Sequence, residues 1–89
     1  MTDRKVIEHP GPWPYEVQKY YHLVYEKESI DVRYYIAGLD EGSVLMWIGS
    51  DKPTYRGFSS IKSFRRFVEA MNEAAKELDE LIKEGKVKE

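Results

Sequence analysis

The chain has 89 residues, 42% hydrophobic and 34% charged, with a net charge of −2 and no cysteine. That length holds one small core, the composition is that of a globular chain, and the missing thiols exclude disulfides and cysteine-based zinc sites. No apolar run approaches the roughly 18 residues of a membrane-spanning helix, and the opening MTDRKVIEHP has no apolar stretch of the signal-peptide kind, so a reducing, cytoplasmic setting is expected. One Asn, one Gln and abundant Lys and Glu resemble thermophile composition.

Residues 1–14 end in HPGPWP, whose three prolines and glycine argue against regular structure there. An arm is expected, with a short strand at Lys5–Glu8 and Trp13 as its anchor. It precedes a single α+β domain over 15–84 and a tail at 85–89. In YEVQKYYHLVYEK, apolar positions 17, 20, 21, 24 and 25 suit a helix, while 15, 17, 21, 23 and 25 suit a strand. Tyr and Val enrichment favours a strand over about 18–27, and a helical turn after Pro14 stays open.

KES then connects tightly to IDVRYYIAG, where Ile30, Val32, Tyr34 and Ile36 alternate with Asp31, Arg33, Tyr35 and Ala37. LDEG turns the chain into a strand at SVLMWIGS, and SDKP turns it again into TYRGFS. Connections this short favour antiparallel neighbours, so a meander of three or four strands is predicted. Last, Ile61, Phe64, Val68, Met71, Ala75, Leu78 and Ile82 follow a strict three-four spacing, widened by Phe67, Ala74 and Leu81. They predict one amphipathic helix over about 60–84, capped by Ser59 or Ser60 and ended by Gly85. The expected fold is α+β, an antiparallel sheet of three to four strands packed on one long C-terminal helix.

Such a helix covers one sheet face. If Tyr21, Leu23, Tyr25, Ile30, Val32, Tyr34 and Ile36 meet it, then Tyr20, His22, Val24, Arg33 and Tyr35 face away, with either Leu45 and Trp47 or Val44, Met46 and Ile48 beside them. Ten of the twelve aromatics precede the helix, more than one interior face needs. The second face calls for an occupant: the arm with Trp13 and Tyr15, a second subunit, or flat ligands such as nucleobases.

Charge favours the last. Residues 50–68 carry Lys52, Arg56, Lys62, Arg65 and Arg66 against Asp51, whereas residues 69–84 carry six acids against Lys76 and Lys83. Three of the five cations fall at the helix start, where about half a unit of positive charge already resides and each costs a few tenths of a kcal/mol. That end also presents backbone N–H groups to anions. A passing phosphate chain would reward both. Taken singly, each cation has an ordinary role, as a solvated helix residue, a partner of Glu69 or Asp51, or an edge-strand charge.

Strands followed by YRGFSSIKSFRRFVEAMNEAAKELDEL as one final helix resemble the archaeal ThermoDBP family, over about residues 15–84. The resemblance implies binding of single-stranded nucleic acid, with bases in an apolar cleft and basic side chains at its edge. Longer family members dimerise through an extended zipper, and the stripe here is shorter and holds Ala74 and Ala75. Whirly-type coactivators, also strands followed by a helix, are a second resemblance.

Catalysis has little basis. His9 and His22 are the only histidines, and no third nitrogen or sulfur ligand accompanies them. Ser59, Ser60 and Ser63 lack a nucleophile-elbow setting, Asp40 and Glu41 are turn residues, and no Walker-type loop exists. No enzyme activity, metal or cofactor is expected. The expected function is single-stranded DNA or RNA binding with little sequence preference. Arg33, Lys52, Arg56, Lys62, Arg65 and Arg66 would contact phosphates, and Tyr20, Tyr35, Trp47 and Tyr55 would stack bases. A homodimer is also expected, since three heptads with apolar a, d and g positions suit a second helix. The alternative is an assembly module whose aromatic face is the interface.

Overall fold

The structure, a computed structural model, describes residues 3–10 and 17–89. Trp13 and Tyr15, the expected anchors of the arm, lie outside the described residues. The fold is α+β: a five-stranded antiparallel sheet followed by one long helix. The strands are β1 (Asp3–Pro10), β2 (Val17–Tyr25), β3 (Ile30–Ala37), β4 (Val44–Ile48) and β5 (Thr54–Phe58), side by side in chain order. The helix is α1 (Ile61–Lys83). It is not apolar enough to cross a membrane.

Two expectations change. The short strand expected at Lys5–Glu8 is longer, β1, which pairs with β2 over all eight of its residues, from Asp3 opposite Val24 to Pro10 opposite Val17. An edge strand tolerates proline at its end because only one side needs ladder bonds. The sheet therefore has five strands, where three or four were expected. The ambiguous YEVQKYYHLVYEK segment is strand from Val17, tied on both sides by β1 and β3.

Alternation sorts the side chains onto two faces. On the first, the register aligns Tyr21, Tyr34, Val44 and Phe58, and next to them Leu23, Val32, Met46 and Arg56. Val32, Val44, Met46 and Phe58 form the buried cluster, with Leu23, Ile30, Tyr34, Phe64 and Phe67 packed around it. On the second face lie Tyr20, His22, Arg33, Tyr35, Leu45, Trp47 and Tyr55. Gly57 sits opposite Leu45 there, and a Cβ on it would come within 3.0 Å of a Leu45 methyl. The bare glycine lets Leu45 lie across β5.

Helix α1 begins where Ser60, in extended conformation, accepts a bond from the Ser63 N–H at 3.1 Å through its hydroxyl. It ends in a Schellman turn: the Lys86 N–H reaches the Leu81 carbonyl, the Gly85 N–H reaches the Ile82 carbonyl, and Gly85 takes φ +75. Both caps were legible in the sequence. The course of the helix was not. Phe64 and Phe67 dock on Phe58, each ring centroid 5.2 Å away. Beyond them the apolar stripe leaves the sheet: Met71 is 52% exposed and Leu78 54%, and no helix residue is fully buried. The helix anchors at one end and does not cover the first face. The molecule is elongated, 58 × 26 × 24 Å, with a radius of gyration of 16.7 Å against about 12 Å for a compact chain this long.

Candidate nucleic-acid interface

The second sheet face carries a diagonal row of flat groups. Tyr35 and Tyr20 have ring centroids 5.0 Å apart. The Arg33 guanidinium lies 4.8 Å from the Tyr20 ring and 4.2 Å from that of Trp47. Trp47 stacks on Tyr55 across the β4–β5 pair, centroids 5.9 Å apart and planes inclined by 29°. A guanidinium between two aromatic rings gains about 0.5–2 kcal/mol per contact, more as water is excluded. Asp31 adds to this arrangement: its Oδ2 is 2.7 Å from His22 Nε2, and its Oδ1 is 3.7 Å from Arg33 Nε. The second distance is an ion pair without a hydrogen bond.

The two ends of the row differ. Tyr20 is 3% exposed and Tyr35 4%, so both rings are closed off from solvent. Tyr55 is 66% exposed. Of the four rings expected to stack bases, Tyr20 and Tyr35 are therefore interior side chains, and only the Trp47–Tyr55 end reaches solvent. Arg33, expected at a phosphate, is instead held between rings beside Asp31. Alternation placed these side chains on the correct face but gave no measure of what covers it.

The remaining cations form a different set. Arg56 projects from the first face, its guanidinium 4.9 Å from the Phe67 ring and 5.1 Å from that of Phe58. Lys52 lies in the β4–β5 turn, and Lys62, Arg65 and Arg66 on the first turns of α1, all exposed. None of these five side chains has an ion-pair partner among the described residues. Neither Glu69 nor Asp51 pairs with them. They run from the β4–β5 turn through β5 to the start of α1; Tyr55 shares β5 with Arg56 but points to the second face, whereas Arg56 and the docked end of α1 lie on the first. The expected site thus divides into an inner part, the buried Tyr20 and Tyr35 with the half-buried Arg33, and an outer part, the half-buried Trp47, the exposed Tyr55 and five cations unpaired among the described residues. Among the described residues, no group of three or more acidic or histidine side chains is arranged to hold a metal ion.

One further feature was not anticipated. On the first face, Val6, Tyr21, Leu23, Tyr34 and Ile61 line an open groove of about 540 Å³ that the helix leaves uncovered.

No protein-family description matches this chain, and neither a curated protein nor a solved structure matches it.

Proposed function

We propose that the β5 edge binds single-stranded nucleic acid with little sequence preference. The observation that carries this is a stack that ends in solvent: Trp47 shields one side of Tyr55 while the rest of that ring remains exposed, on the same edge strand as Arg56, between a turn and a helix start whose cations have no carboxylate partner among the described residues. A base added to Tyr55 continues an existing stack, and such base–aromatic stacking contributes about 1–3 kcal/mol whichever base it is. Lys52, Arg56, Lys62, Arg65 and Arg66 then neutralise phosphates along the strand and the start of α1. A duplex fits less well, because its bases are already stacked on each other and have no open face for Tyr55.

The test is titration of a fluorescently labelled single-stranded oligonucleotide with the wild-type chain and with Tyr55→Ala. Loss of one stacking contact weakens binding by about 5- to 150-fold. The melting temperature stays within a degree or two, because the ring is mostly exposed. Absence of wild-type binding at low salt, or equal affinity of the two proteins, removes the proposal.

A further inference from the structure

We infer that the bare part of α1 is a self-association surface on which a second copy of the chain packs with its helix antiparallel. The stripe Phe64, Val68, Met71, Ala75, Leu78 and Ile82 alternates between d and a positions of a heptad, and its own sheet engages only the first two turns. Such a stripe is the seam of a coiled coil, and exposed apolar area of this extent calls for a partner. The whole chain exposes 7427 Å², roughly 2,000 Å² more than a compact monomer of this mass. Burial of about 1,200–2,000 Å² in total is what a specific interface needs.

Charge and volume select both partner and direction. Lys62, Arg65 and Arg66 make the start of α1 basic with no acid in its first turn. Glu77, Asp79, Glu80 and Glu84 against Lys83 make its end acidic. Parallel helices would set like ends together, and antiparallel helices set each basic end against an acidic one, with opposed macrodipoles. With a and d residues facing across an antiparallel seam, Phe64 meets the partner's Ile82, Val68 the partner's Leu78, and Met71 the partner's Ala75. Each larger side chain faces a smaller or complementary one, whereas a parallel pair would place Ala75 on the partner's Ala75 and leave a gap. The flanking positions agree. Arg65 falls opposite the partner's Asp79 on one side, and Phe67 opposite the partner's Leu81 on the other. The end of the partner helix then lies beside Ile61, at the margin of the uncovered groove formed with Val6, Tyr21, Leu23 and Tyr34. Arg65 turns to the partner in this arrangement, leaving four cations for phosphate.

Sedimentation equilibrium without oligonucleotide tests the association, and introduced cysteines test the direction, since the chain has none of its own. The expected mass is twice 10.5 kDa, and Leu78→Asp returns it to the single-chain value with helical circular dichroism retained. Asn72→Cys, at the flanking position midway between Arg65 and Asp79, oxidises to a covalent dimer in the antiparallel pair; Ala74→Cys, on the opposite flank, does the same. Arg65→Asp weakens the dimer at least tenfold, and Asp79→Arg in the same chain restores it. A single-chain mass across the concentration range, or a dimer that neither cysteine locks, overturns the inference.

Discussion

The first two turns of α1 and the four that follow share one apolar repeat but not one environment. Phe64 and Phe67 close on Phe58 and are half-buried, whereas Met71 and Leu78, on the same stripe, are more than half exposed. A three-four spacing thus specifies that a helix face needs cover without specifying what covers it. The anchored end fixes the helix to the sheet by aromatic packing. The outer end supplies a surface, and the cations cluster near the anchored end, where β5 holds them in place.

Substitutions at the two ends separate these roles. Phe58→Ala has the largest effect, removing the ring that joins β5 to α1 and costing about 3–5 kcal/mol, a large share of the stability of a small chain with six buried hydrophobic side chains among the described residues. Chemical denaturation will show the midpoint collapse. A midpoint close to wild type would mean that the anchored end is not anchored. Ser60→Ala removes the cap that holds the Ser63 N–H and costs about 1 kcal/mol, visible as a lower melting temperature with the helix content kept. Arg56→Ala loses contact with two rings, about 0.5–1 kcal/mol, and weakens oligonucleotide binding as well. Lys52→Ala touches no packed group, so it leaves stability unchanged and flattens the salt dependence of binding by about 0.7 in slope. Met71→Ala also has a small effect, within about 0.5 kcal/mol in the dilute monomer. A cost comparable to that of Phe58→Ala would show the outer stripe packed against its own sheet.

Much of this architecture was legible in the sequence because it is local. The alternation of IDVRYYIAG and SVLMWIGS, the short turns between strands, and the Ser60 and Gly85 boundaries of α1 depend on neighbours a few residues apart. The strand at Lys5–Glu8 was legible, but the full length of β1 was obscured by Pro10, which a strand end at a sheet edge accommodates. The course of α1 depends on how far the sheet extends beneath it, a tertiary quantity that the helix sequence does not encode. The candidate site was legible to the same degree. Alternation assigned Tyr20, Arg33 and Tyr35 to one face and left open whether Trp47 joined them, which the β3–β4 and β4–β5 register settles together with the place of Tyr55; the burial of Tyr20 and Tyr35 and the sandwiching of Arg33 depend on packing around the row. Lys52, Arg56, Lys62, Arg65 and Arg66 were found as a cluster because they are close along the chain, and all five are exposed and without ion-pair partners among the described residues.

The salt dependence of oligonucleotide affinity tests the basic β5 edge most directly. Four or five neutralised phosphates predict that log K falls against log salt with a slope between about −2.8 and −3.5. A response that stays flat as salt rises would contradict binding through these cations.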